Sequence, residues 1–213
     1  MGLDYSFFVV TPKDRVNRLL ETIATYVAEE YGARLRAALP WTPSIDRVSQ
    51  WLGEVPARDQ RGISNLPRRS YEPGEERCFT FLFPPDEILT DYGRSCPTAR
   101  RRRDGRVPVG CVWCGISAGD EWAMFHALAA SSDMSRLFER SGSVRALWSK
   151  IAIEAAASAL LFDFEDPDRW ELLYPRAEQI PKPDEEPYLF ADEQNLNVDA
   201  YFTEVLREAG IEP

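Results

Sequence analysis

The residues of this chain that could do chemistry gather between Val107 and Tyr174. Gly115-Ile116-Ser117-Ala118-Gly119 matches G-x-S-x-G. In a nucleophile elbow the serine of that string occupies a sharp strand-to-helix turn, with backbone N–H groups beside it to hold an oxyanion. Such a serine needs a base. His126 is the only histidine and lies nine residues after Ser117, whereas the hydrolase order places the histidine far downstream, after the acid. A Ser-Asp dyad would call for a glycine-rich loop upstream and an Asp-Gly downstream; Asp104-Gly105 precedes the serine and no Asp-Gly follows it. The catalytic set this pattern permits is Ser117, His126 and Asp163. Small residues around a hairpin turn explain the string more simply, and His126 reads as a core or hairpin histidine within an apolar run.

Cys111-Val112-Trp113-Cys114 is a C-x-x-C. Residues three apart in a strand fall on opposite faces, so the two thiols could not share an ion without a bend. Cys78 and Cys96 would complete a set of four, but neither belongs to a second paired knuckle, which structural zinc usually shows. Cys114 and Ser117 also have Cys-x-x-Ser redox spacing without the second thiol. Buried free thiols are expected instead, with no metal and no cofactor.

Two charged segments remain. Asp163, Glu165, Asp166 and Asp168 could bind a hard cation if Asp163 and Glu165 share a strand face. The simpler expectation is a solvated strand face followed by a turn. Arg100-Arg101-Arg102-Arg103 is the one strongly basic run. No aromatic residue is interleaved with it as a stacking platform for nucleic acid would require. An exposed mobile loop is expected, available for self-association or for pairing with the acidic C-terminal third. These acids and arginines are the candidate binding residues.

The elements that must position these groups follow from periodicity. Asp4 to Val10 reads as a buried strand. Thr11 suits an N-cap and Pro12 the first helical position, ahead of a helix with Val16, Leu19, Leu20, Ile23, Val27 and Tyr31 on one stripe. Ser44 opens a short helix carrying Ile45, Val48 and Leu52. Arg77 to Phe83 is a second strand, and Pro84 to Tyr92 a short helix. Val107–Ser117 and Glu121–Ala130 form a hairpin across Ala118-Gly119-Asp120, the competing reading being a helix from Asp120. Ser132 or Asp133 caps Met134–Arg140, and Ser143 caps a longer helix through Ala155. Leu160–Glu165 and Trp170–Tyr174 are antiparallel neighbours. A last amphipathic helix, Val198 to Ala209, must dock on this domain or on a partner.

Strands that bracket helices without regular βα alternation predict an α+β fold, an antiparallel or mixed β-sheet with helices packed mainly on one face. Residues 1–180 read as one domain, followed over 181–213 by an acidic linker and the amphipathic helix. The net charge is −10. From Asp163 onward fifteen acids face Arg169, Arg176, Lys182 and Arg207, so the negative surplus lies there. That charge argues against nucleic acid and favours a basic protein partner. The N-terminus shows no leader pattern, and no apolar run reaches membrane-spanning length. Gly2 and Ser6 fit a myristoylation pattern, but Tyr5 to Val10 reads better as a strand. A cytoplasmic location is expected. With no complete catalytic set, the expected class is a non-catalytic interaction protein with an acidic surface, such as an immunity-type or adaptor protein. The second reading is a small serine hydrolase using Ser117.

Overall fold

The computed structural model describes residues 5–37, 39–40, 49–52, 78–96, 99, 101–182 and 198–211. Among them eight strands form one antiparallel sheet: β1 (Ser6–Pro12), β2 (Ser49–Leu52), β3 (Cys78–Phe83), β4 (Val107–Ala118), β5 (Trp122–Ala129), β6 (Ala159–Asp163), β7 (Arg169–Tyr174) and β8 (Glu178–Pro181). The helices are α1 (Val16–Ile23), α2 (Glu29–Ala37), α3 (Glu87–Ser95), α4 (Ser132–Arg140), α5 (Gly142–Ala155) and α6 (Val198–Glu208). The strand order is β2-β4-β5-β1-β6-β7-β8, and β3 shares with β2 the outer edge of the long strand β4. The fold is α+β, as the pattern of the chain predicts.

Alternation along the strands builds two cores, one on each face. Phe7 and Val9 of β1, Phe125 and Ala127 of β5, and Leu160 and Phe162 of β6 point toward α1, α4 and α5. Trp148 of α5 stands at the centre of that core, its ring 5.2 Å from Phe7, 5.0 Å from Phe81 and 6.2 Å from Phe125. The intervening residues Phe8, Val10, Trp122, Met124, Leu161, Trp170, Leu172 and Ile180 face the other way, onto Tyr201, Phe202, Val205, Leu206 and Ala209 of α6. The apolar stripe of the last helix therefore docks in cis. Complete burial of Phe202, Val205 and Leu206 contributes on the order of 5 kcal/mol before ordering costs. Among the described residues five helices thus cover one face and α6 the other.

Several boundaries differ from expectation, each for a local reason. β1 runs through Thr11 and Pro12, and the chain turns through a 3-10 segment, Lys13–Arg15, so Thr11 caps nothing. α1 stops at Ile23. Thr22, Thr25, Tyr26 and Val27 are β-branched or aromatic, types that resist helix. There the chain pairs with β3 instead, through Ala28 N–H to Thr80 C=O at 2.8 Å and Leu82 N–H to Tyr26 C=O at 2.8 Å. Gly32 then lies inside α2, where a Cβ would meet the Ala24 carbonyl oxygen at 2.4 Å. Leu52 belongs to a strand, because Ser49–Leu52 pairs with β4; residues 44–48 of the expected helix lie outside the described residues.

The caps also differ. Ser131 caps α4 by accepting Met134 N–H, and Ser141 caps α5 by accepting Val144 N–H. Asp86 explains the second choice. One carboxylate oxygen accepts Leu89 N–H at 2.8 Å and caps α3. The other accepts the Ser141 hydroxyl at 2.7 Å and Ser143 N–H at 3.1 Å, so one side chain ties two helix starts together.

Candidate functional site

Ser117, His126 and Asp163 lie on three different strands, β4, β5 and β6. Ser117 is a position inside β4, paired with Met124 on one side and Ser49 on the other. The chain continues extended through Ala118 and returns as β5, so the hairpin is present and the strand-to-helix elbow is not. His126 lies in β5 between Gly115 and Phe8 in the pairing register. It is buried, with its ring stacked 4.8 Å from that of Phe8. Burial pushes its pKa down to about 3, so the imidazole is neutral near pH 7. Asp163 ends β6, and β1 separates that strand from β5, a lateral gap of about 10 Å at the usual strand spacing. Its carboxylate accepts Lys182 Nζ at 3.1 Å and Glu165 N–H at 2.8 Å.

The neighbouring acids shape a turn. Glu165 has left the strand, with φ 61°, so it shares no strand face with Asp163. Asp166 Oδ1 accepts Asp168 N–H at 2.9 Å. Among the described residues no group of acids, histidines and cysteines could hold a metal ion. Cys111 and Cys114 both belong to β4, where the pairing with β3 shifts register between Val109 and Val112. Cys114 is buried against the main core, which pushes its thiol pKa up, and Cys96 follows the end of α3. Cys78 is opposite Trp113 in the β3–β4 pairing.

The described part of the arginine block is exposed and forms a turn. Arg100 lies outside the described residues. Arg102 N–H donates to Arg106 C=O at 2.8 Å, and Gly105 N–H to Arg102 C=O at 3.0 Å, with Gly105 at φ 83°. Arg101 Nε donates to Gly105 C=O at 2.8 Å, and Arg106 pairs with Asp104 at 2.7 Å. Arg102 and Arg103 are left exposed at the tip without an ion-pair partner among the described residues. The segment is a hydrogen-bonded turn leading into β4.

At the opposite end of β4 the structure assembles a site that the sequence motifs do not mark. An open groove of about 600 Å³ runs between the β4–β5 turn and α6, lined by Asp120, Glu121, Asp199, Ala200, Thr203, Glu204 and Arg207. Asp199 builds it. Its carboxylate accepts the backbone N–H groups of Asp120 at 2.6 Å, Glu121 at 3.0 Å and Trp122 at 2.9 Å. Gly119 makes room, since a Cβ there would meet the Asp199 carboxylate at 2.3 to 2.5 Å. Lys13 Nζ closes the turn from beneath by donating to Gly119 C=O at 2.6 Å. Burial works to raise the Asp199 pKa, but the hydrogen bonds from Trp122, Asp120 and Glu121 and the charge of Lys13 outweigh it, and the net shift is downward.

With Asp199 turned inward, the groove presents other carboxylates. Asp120 and Glu121 are exposed on the turn and Glu204 on the helix. Among the described residues Asp120 has only the Lys13 ammonium, 4.0 Å away. Arg207 is shared between Glu204, at 3.8 Å, and Glu208. Among the described residues the concavity therefore carries surplus negative charge, and it offers carboxylate acceptors to an incoming guanidinium or ammonium group. Sequence reasoning identified the Gly119-Asp120 turn but not its partner. An acid in the first turn of a helix is ordinary, and nothing in the chain signals that Asp199 reaches 79 residues back to Asp120.

Comparison with known protein families, with curated proteins and with solved structures gives no match to this chain.

Proposed function

We propose that this protein is a non-catalytic, cytoplasmic interaction protein that captures a basic protein partner through the acidic groove beside the β4–β5 turn. The observation that carries the reading is the groove itself: a concavity with Asp120, Glu121 and Glu204 exposed on a turn and a helix that Asp199 locks together. A net charge of −10 adds long-range attraction for a basic partner and speeds encounter. Immunity-type proteins that neutralise a basic enzyme and small adaptors are members of this class.

Calorimetric titration with an arginine-rich peptide tests it. Asp120→Asn, Glu121→Gln and Glu204→Gln together should weaken binding about tenfold or more, from the loss of three local charges. Glu21→Gln, Glu87→Gln and Glu139→Gln remove the same charge from exposed positions elsewhere and should change affinity little. Equal weakening by both sets, or no binding to the unaltered protein, would refute the groove as the site.

A further inference from the structure

Two exposed charged features among the described residues lie at opposite ends of one strand. The arginine turn enters β4 at Val107, and the acidic groove begins where β4 ends at Ala118. Twelve residues of strand hold them apart by roughly 35 Å at the usual rise per residue. Arg102 and Arg103 therefore cannot reach the groove of their own chain. Both features are ordered in advance: backbone hydrogen bonds fix the turn, and the Asp199 clasp fixes the groove. Little conformational freedom remains to be lost when they meet a complementary surface.

We infer that the groove accepts the arginine turn of a second copy of this chain, with Arg102 and Arg103 of one copy against Asp120, Glu121 and Glu204 of the other. The inference rests on the acidic-groove reading and names a ligand for it. Two copies aligned with their β4 strands antiparallel can make both contacts at once, giving a closed isologous pair. Copies joined by one contact each would instead form a ring or an open chain. Both arrangements use the same complementary charges.

Copies of net charge −10 also repel one another at long range, so salt dependence alone does not separate the local attraction from the global repulsion. Charge exchange does. Arg102→Glu with Arg103→Glu takes the chain from −10 to −14, since each reversal shifts two charges; Asp120→Lys with Glu121→Lys takes it from −10 to −6. All four side chains are exposed, so circular dichroism melts should match those of the unaltered chain. In sedimentation equilibrium of the full chain from about 10 μM to 1 mM, the unaltered protein should self-associate. Each variant should associate at least about tenfold more weakly, and an equimolar mixture of the two should regain the lost association. The −6 variant is the sharpest case, because weaker global repulsion alone would make it associate more.

A monomeric unaltered protein throughout that range, a −6 variant that associates as well as or better than the parent, or a mixture with no gain would each overturn the inference. If the chain stays monomeric while the arginine-rich peptide still binds in a groove-dependent way, self-recognition falls and the acidic-groove reading stands. If neither association is seen, both fall.

Discussion

Replacing Asp199 by alanine removes the acceptor of three backbone N–H groups in one step. Hydrogen bonds to a charged group contribute about 1.5–3 kcal/mol each when the alternative is an unsatisfied donor. Here the donors of Asp120 and Glu121 lie at an exposed turn, where water can replace the carboxylate, while that of Trp122 is partly buried. One donor at near full value and two heavily discounted give about 2–3 kcal/mol for Asp199→Ala. Gly119 supplies an internal check. A methyl group added at that glycine would occupy the place of the Asp199 carboxylate, so Gly119→Ala should force the carboxylate out and cost a similar amount. The two costs should not add. With Asp199 already removed, the methyl meets no carboxylate, and the second substitution should cost under about 1 kcal/mol, leaving a coupling of about 1–2 kcal/mol in a double-mutant cycle. Urea unfolding followed by tryptophan fluorescence measures all four corners, with Trp122 and Trp170 under α6 reporting on its docking. An Asp199→Ala cost below about 0.5 kcal/mol, or strictly additive costs, would refute the clasp.

Asp86→Ala should destabilise the protein by about 2 kcal/mol, because it uncaps α3 and orphans the Ser141 hydroxyl and Ser143 N–H at the start of α5. At this chain length that corresponds to a melting point lower by about 5 °C, and an unchanged melt would contradict it. Acid sensitivity should begin with His126, whose folded-state pKa of about 3 lies below the ordinary value of 6.5. Between those values the unfolded chain binds a proton that the native state does not, so stability falls as pH drops from 6.5, by about 3 kcal/mol at pH 4.5. In His126→Gln the slope of stability against pH in that window should flatten, whatever the substitution costs at pH 7, and a slope equal to the parent's would overturn the assignment. Asp86 and Asp199 act lower. Their folded pKa values lie below the usual 3.8, so their contributions are present above that value and are lost as pH falls through the depressed pKa.

What was legible in the chain was what neighbouring residues decide. The hairpin over 107–130 follows from β-rich runs on either side of Gly119-Asp120, and Ser6–Val10 reads as a buried strand because no polar face interrupts it. The amphipathic stripe of α6 is equally plain. What misled were choices made between segments distant in sequence. Leu52 fits a helical stripe with Ile45 and Val48, yet Ser49–Leu52 pairs with β4 more than sixty residues away. Ser141 and Ser143 are comparable caps by sequence, and Asp86, 55 residues before Ser141, decides between them. The candidate site is of the same kind. Its three exposed acids come from a turn and from a helix near the end of the chain, and neither segment carries a motif.

The placement of α6 decides how the charge of the molecule should be read. As an undocked amphipathic helix it would have been the natural surface for a partner, with the acids merely keeping it soluble. Docked, it hides Phe202, Val205 and Leu206 completely and turns Glu204 outward beside Asp120 and Glu121. An apolar element thus becomes the wall of a polar groove, and the capture proposed above would rest on the carboxylates rather than on the hydrophobic stripe. The Asp199 clasp belongs to both roles, since the three N–H bonds that hold the first turn of α6 to the sheet also set the spacing between Glu204 and the turn acids. Loosening the clasp should therefore weaken capture of a basic segment even though Asp199 itself, spent on backbone donors, offers the ligand no free oxygen pair. That dependence separates a built groove from a chance run of surface acids, for which a change in helix docking would leave binding untouched.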